Sequence, residues 1–537
     1  MSQVQEEKND ITHVESNIGD LKYDAVGDAA AKGQIVTGYE NLGIIQTMLK
    51  FKVAMAICFA ATFAGATDGY QIGLNGNVIA NDGFIKQFAT TTDSDGNPIL
   101  AASVLTAIGS IQSVGQIIGM CTLPFVASRF GRKPAMFTLW LVLALSVTCE
   151  TVAKKWQVWF VAKLFSGIGV GSLQFITPTY VTEISPARIR GLLLVMYNFW
   201  FSVGSFFASI ALQSMFTKDP YNYKTPIYTQ WAHIGLMLAI YLCLPETPAW
   251  LASQGKADKA KKNLKFIYRD VPDFNADQYY DAIVSGIEHE QEVARQLHRG
   301  NWYDALRGVD GFRTIVSTWA LFSQQLLGLT LFYTYASVFF SAAGFDDPFA
   351  ITCITNGIQL VVIVLVAISV DRIGRRNICC GGLTTMLVGI TLIGIVGVLP
   401  NRGKAANSLL VFFCCIYMVG LQCSGSTGWA YVGEISSQRL RPYTAGFAAA
   451  LSCVMGVIMN VLVPYMLTVN EWNWGLKTAF FYLGLGAPFA IASWFLIPET
   501  ARLTAPELDE LFENKVRPWR FHKTKTALQL AVEAQSS

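Results

Sequence analysis

Charge is scarce in this chain. Only 14% of its 537 residues are Asp, Glu, Lys or Arg, against 52% hydrophobic, and the mean hydropathy is +0.39. A soluble domain of this length would cover its surface with far more charge, so the composition reads as a membrane protein. The net charge of +3 is small and spread along the edges of apolar runs, which implies no nucleic-acid face. Paired cysteines are missing as well: there is no CxxC, and all 11 cysteines fall inside apolar stretches, where they pack as small apolar side chains. That argues against a disulfide framework and against a metal site. No HExxH, GxSxG or phosphate-binding loop occurs in a convincing context, so nothing points to an enzyme or a cofactor. The GIGVG run at 167–171 follows no strand; in an apolar helix it lets a neighbour approach closely. Nor does the chain begin with a short apolar run and a small-residue cleavage site, so no cleaved signal peptide is expected.

What the chain has instead is a succession of apolar runs. A spanning helix needs about 20 mostly apolar residues. Such runs lie at 51–73, 102–126, 134–152, 157–180, 191–213, 229–245, 312–341, 349–370, 377–399, 408–432, 443–468 and 476–497. The expected fold class is an all-α membrane protein with twelve transmembrane helices in two six-helix halves, 51–245 and 312–497. A linker with short helices spans 246–311; residues 1–50 read as a disordered tail and 498–537 as a second tail. Lys and Arg gather on alternate loops, at Arg129, Arg132 and Lys133, at Arg188 and Arg190, at Arg372, Arg375 and Arg376, and at Arg439 and Arg441. The Lys-rich linker and the tail with Lys515, Arg517 and Arg520 fall on the same side, so both termini are expected to be cytoplasmic.

Two segments are written twice. YVTEISPARIR, from Tyr180, returns from Tyr431 as YVGEISSQRLR, and SRFGRK at 128–133 returns as DRIGRR at 371–376. Each copy follows the corresponding apolar run of its half, the mark of a duplicated unit. Transporters built from two such units bind substrate near the bilayer midplane and rock around it. Glu183, Arg190, Glu434 and Arg441 are expected to pair with the Arg132 and Arg375/Arg376 loops, latching the cytoplasmic side in one state. Asp371 supplies an acid where the first copy has Ser128. The plainer reading is that these charges anchor helix ends among lipid headgroups.

PTYVTEISPARIRG at 178–191, PETPAWL at 245–251, QQLLGLT at 324–330, WAYVGEISSQRLR at 429–441 and PET at 498–500 occur in that order. Together they resemble the sugar porter family of the major facilitator superfamily, from about residue 55 to 513. VPYMLTVNEWNWGLKTAFFY at 463–482 and PELDELFE at 506–513 look like the fungal branch that contains maltose and other α-glucoside permeases. The resemblance implies a plasma-membrane carrier, functional as a monomer, with a small sugar, protons and the lipid bilayer as its partners. A sugar cavity needs amides for its hydroxyls and an aromatic ring for its apolar face. By position these are Gln324, Gln325, Asn198, Gln359 and Asn460, with Trp429 stacking on the sugar and Thr330 standing where the family has Asn. For Gln359 and Asn460 an interhelical packing bond is the competing reading.

Proton-coupled members of the family carry an Asp in GYD opposite an Arg in R-x3-GxGxG. Here Gln71 and Lys163 occupy those positions. Asp68, nearly one turn before Gln71, is expected to meet Lys163 instead, with Glu150 as a third member of the coupling group. The functional expectation is a proton symporter for an α-glucoside such as sucrose or maltose, or for a monosaccharide. A facilitative hexose or pentose uniporter, which Gln71 fits, is the alternative. A non-transporting sugar sensor is disfavoured because fewer than forty residues follow Thr500.

Overall fold

The computed structural model describes residues 44–524, apart from 93–95, 187–188, 273, 300–306, 400–402, 436–440 and 502–504. Its N-terminal helices are α1 (Lys52–Thr62), α2 (Ala64–Val78), α3 (Ala102–Phe130), α4 (Arg132–Val152), α5 (Trp156–Ile184), α6 (Arg190–Lys218) and α7 (Lys224–Cys243). Next come α8 (Pro248–Ser253), α9 (Ala257–Ile267) and α10 (Ala276–Arg299). The C-terminal set comprises α11 (Gly308–Leu326), α12 (Leu329–Tyr333), α13 (Ala336–Ala342), α14 (Pro348–Ile373), α15 (Arg375–Gly397), α16 (Lys404–Glu434), α17 (Arg441–Leu467), α18 (Thr478–Leu496) and α19 (Ala505–Glu513). A two-residue antiparallel pair, Thr91–Thr92 with Pro98–Ile99, is the sheet among the described residues. Taking α1 and α2 as one run, 10 helices among the described residues are long and apolar enough to cross a membrane. The α7 helix and the broken run α11–α13 fall outside that group.

Spanning helices have no water to satisfy exposed backbone groups, so packing and intrahelical bonds must do it. Pro124, Pro178, Pro464 and Pro488 sit inside α3, α5, α17 and α18, which such packing tolerates. Glycines let α3 and α5 approach closely. A Cβ on Gly167 or Gly171 would strike the backbone carbonyl of Gln112 or Gln116. Close backbone packing of that kind turns a fixed face of α3 toward its other neighbours, and Gly109, Gln112, Ser113 and Gln116 open onto an interior cavity.

The two sets of helices are joined at the end remote from α8–α10. There Asn77 Oδ1 accepts from the Ser337 N–H at 2.9 Å, Gln213 Nε2 donates to Asp347 at 2.7 Å, and Asn356 Nδ2 donates to Ser209 at 2.6 Å. The opposite face carries the linker helices. α9 buries Ala260, Leu264 and Ile267. The Tyr268 hydroxyl donates to the Ile184 carbonyl at 2.9 Å, and Asp270 accepts from the Val53 N–H at 2.7 Å. These bonds seat the linker under α1 and α5, and the face they define is called the linker face below.

Three sequence boundaries need correction. The run expected at 51–73 continues to Val78, because Asn75 and Asn77 are polar yet buried against neighbours. The run expected at 312–341 is not one helix: Gly328, at φ +100, breaks it between α11 and α12, and α13 restarts after Tyr335. Of the tail expected to be disordered at 1–50, residues 44–50 are helical, while 1–43 lie outside the described residues.

Candidate functional site

A cavity of about 310 Å³ lies between the two sets of helices. From the N-terminal side it receives Gln112 and Gln116 of α3, Gln174 of α5 and Asn198 of α6; from the C-terminal side, Gln324 and Gln325 of α11, Gln422 of α16 and Asn460 of α17. Among the described residues, no Asp, Glu, Lys, Arg or His lines it. Phe201 and Tyr333 stack across the two sides, ring centroids 5.9 Å apart and 13° from parallel, and Trp429, also in the wall, is 51% exposed. Eight amides and three aromatic rings without a charge make a surface for a neutral, hydroxyl-rich ligand. A larger hollow of about 510 Å³, edged by Lys86, Asp219, Tyr221 and Lys224, lies at the surface and shares no residue with this cavity.

The break at Gly328 explains how the amides of α11 are presented. Where the helix stops, Gln325 Oε1 accepts from the Thr330 hydroxyl at 3.3 Å, and Gln324 Nε2 donates to Ser424 on α16 at 2.8 Å. Discontinuous helices commonly expose binding groups in this way. Asn198, Thr330, Trp429 and Asn460 also line the cavity as expected. Gln359 does not: it is 1% exposed, outside the cavity wall, with its Nε2 against the Met418 sulfur at 3.1 Å. Its role here is packing. The α3 amides and Gln174 escaped the sequence reading, although Gln112 and Gln116 recur at helical spacing within an apolar run, a legible signal.

The expected meeting of Asp68 and Lys163 does not occur. Lys163 Nζ lies 2.8 Å from Glu150 Oε1, both side chains almost fully buried, and Gln230 donates to the other oxygen at 2.8 Å. The antiparallel neighbours α4 and α5 bring residues 150 and 163 face to face, and a desolvated ammonium takes the nearest carboxylate. Asp68 instead accepts from the Tyr197 hydroxyl at 2.6 Å and from Gln174 Nε2 at 3.1 Å. Gln174 lies three helical turns along α5 from Lys163, about 16 Å at the standard rise, so the two sites sit at different depths. Gln71 accepts from Ser166 at 3.0 Å and stays off the cavity wall. Through Gln174, which does line the cavity, Asp68 is one hydrogen bond removed from the cavity wall.

At the linker face, the guanidinium of Arg132 grips Glu183 at 2.6–3.1 Å. This pair joins α4 to the end of α5 within the N-terminal set. Arg190 does not share in it; its Nε is buried without a hydrogen-bond partner. The side chains of Asp371, Glu434 and Arg441 lie outside the described residues. Two acids not assigned from the sequence organise these corners. Glu246 accepts the Arg132 and Lys133 backbone N–H groups at 3.0 and 3.1 Å, and Glu499 accepts those of Arg375 and Arg376 at 3.0 and 3.2 Å. Each carboxylate thereby caps a helix N-terminus. Each passes beside a glycine held at positive φ, Gly131 at +113 or Gly374 at +90, where a Cβ would meet the carboxylate. Both acids stand in quoted motifs, PETPAWL and PET, whose spacing to the basic loops is too long to read as a contact.

Residues 57–512 match the family described as "Sugar (and other) transporter". An MFS transporter of Aspergillus fumigatus, fmqE, is 28% identical over 530 residues, covering 96% of this chain and 97% of its own. The low-affinity glucose transporter HXT1 of Saccharomyces cerevisiae is 24% identical over 86% of this chain and 82% of its own. Among solved structures, the inward open conformation of the xylose transporter XylE from E. coli superposes with TM-score 0.67 at 21% identity, covering 85% of this chain and 99% of that one. With a neutral amide cavity between two helix sets and a family match over most of its length, the chain belongs to the sugar (and other) transporter family: it is a membrane sugar transporter of major facilitator architecture, not an enzyme.

Proposed function

We propose that the chain carries a neutral monosaccharide, a hexose or pentose, across the plasma membrane by alternating access, with Asp68 as the group that takes the coupled proton. The observation that carries the substrate class is the cavity wall: amides and aromatic rings, with no charged side chain among the described lining residues. Sugar phosphates and sugar acids would enter it without a counter-charge. A volume of about 310 Å³ falls at the low end of the roughly 300–1,000 Å³ of small-molecule sites, which favours one ring over the two of maltose or sucrose. Relatives described as glucose and hexose transporters support the same choice.

Proton coupling rests on Asp68, an ionisable group inside a spanning helix and hydrogen-bonded to neutral partners, one of which reaches the cavity. A facilitative uniporter is the second reading, favoured by one observation: Lys163 is fully engaged with Glu150 and offers Asp68 no switching partner. In the topology that fits, two groups of six spans meet at the cavity, and the linker face with both termini is cytoplasmic. The carrier works as a monomer. The deciding experiment is competition against labelled glucose uptake: unlabelled hexoses and pentoses should compete, while glucose 6-phosphate and gluconate at the same excess should not. Equal competition by the charged sugars would contradict the proposal.

A further inference from the structure

The wall of the cavity holds buried polar atoms with nothing to bind. Gln112 spends its Oε1 on the Asn75 amide of α2 and leaves its Nε2 without a partner. Asn460 spends its Nδ2 on Ser113 at 3.1 Å and on the Gly456 carbonyl at 2.9 Å, and leaves its Oδ1 without one. The Tyr335 hydroxyl, also unpartnered, reaches into the space over Gly109, and Asn460 Oδ1 borders the same space. Gln112 is 6% and Asn460 7% exposed, and both line the cavity. Ser113, bonded to Asn460, is the neighbour of Gln112 on α3. One unused donor on α3 and one unused acceptor on α17 therefore belong to residues that line the same cavity.

Buried polar atoms are rarely left unpaired in folded chains. A hydroxyl, which donates and accepts at once, satisfies this pair; a carboxylate, phosphate or ammonium satisfies only one member. Resting on the sugar-carrier reading above, we infer that Gln112 and Asn460 form a specificity subsite that reads one particular hydroxyl of the sugar. Asn75 acts as a positioning residue that holds the Gln112 amide, and Tyr335 closes the subsite from the C-terminal side. The subsite brings α3 and α17 onto the same ligand group, so a sugar lacking that hydroxyl leaves both amides unmatched.

The test measures inhibition of labelled D-glucose uptake by the 1-, 2-, 3-, 4- and 6-deoxyglucoses, in cells whose surface protein is quantified. Wild type should discriminate against one deoxy position by about tenfold, the order expected of a lost hydrogen bond. In Gln112→Met that one penalty should fall to about twofold or less, with the remaining positions unchanged. Gln112→Asn, which keeps the amide but withdraws it by one methylene, should lose the same position in part. A deoxy profile identical to wild type in both variants would overturn the subsite, as would an equal loss at every position. Absence of glucose uptake and of any deoxyglucose effect in wild type would instead overturn the sugar reading, and the subsite with it.

Discussion

The Tyr197 hydroxyl donates to Asp68 at 2.6 Å, whereas the Lys163 ammonium lies 2.8 Å from Glu150. The carboxylate expected to answer Lys163 is thus held by neutral groups, and the cation is satisfied elsewhere. Asp68→Asn should abolish uncoupler-sensitive accumulation of sugar while leaving exchange of labelled for unlabelled sugar intact. Tyr197→Phe should weaken accumulation by about five- to tenfold, the scale of one hydrogen bond. Undiminished accumulation in Asp68→Asn would exclude it as the proton carrier.

Glu150 and Lys163 should behave as a structural unit. Removing one member leaves a buried charge alone, which costs about 3–5 kcal/mol. Lys163→Met and Glu150→Gln should each lower the unfolding temperature of the purified carrier strongly, and Lys163→Met with Glu150→Leu should recover most of the loss. Additive losses in the double variant would mean the two do not act as a pair.

The cavity separates Gln324 from Gln359. Gln324→Ala should raise the KM for sugar about tenfold at unchanged surface expression, since it removes a wall amide. Gln359→Leu should leave KM within about twofold, because that amide faces Met418 rather than the cavity. The reverse order of effects would contradict the cavity assignment.

Glu246 accepts three backbone N–H groups, from Arg132, Lys133 and Thr247. Glu246→Ala strands them and should cost about 2–3 kcal/mol in stability, with Glu246→Gln intermediate. Thermal unfolding in detergent measures both. A neutral Glu246→Ala would show that water replaces the cap without loss.

The same carboxyl makes stability depend on pH. Burial pushes it above its ordinary value, outweighing the backbone N–H groups and Arg132 that pull it down. Its folded value therefore exceeds the unfolded one, near 4.3. The stability it contributes is complete below that unfolded value and is lost as pH rises through the folded value. Wild type should gain stability relative to Glu246→Gln on acidification from about pH 6 to 4; a constant difference would contradict this.

Most of the helices were legible because a bilayer imposes a length and a composition that show in sequence. The YVTEIS/YVGEIS and SRFGRK/DRIGRR repeats point to the Arg132–Glu183 corner for the same kind of reason: charge at a helix end has few uses in a membrane. What escaped was polar and buried. Asn75 and Gln174 look like interruptions of apolar runs, and only packing shows that one holds a neighbour and the other lines the wall. Lys163 was assigned to Asp68 by spacing along one helix, whereas its depth in the bundle gave it to Glu150. Glu246 and Glu499 were quoted within motifs, but their contacts span more than 110 positions of chain, beyond any local pattern.

The most direct test of the central claim is uptake of labelled D-glucose and D-xylose by yeast lacking its own hexose carriers, with and without an uncoupler. Saturable uptake of at least one of the two is expected, abolished as accumulation by the uncoupler and weakened by Gln324→Ala. With the protein shown to be at the cell surface, failure to move any neutral monosaccharide at any pH would contradict it.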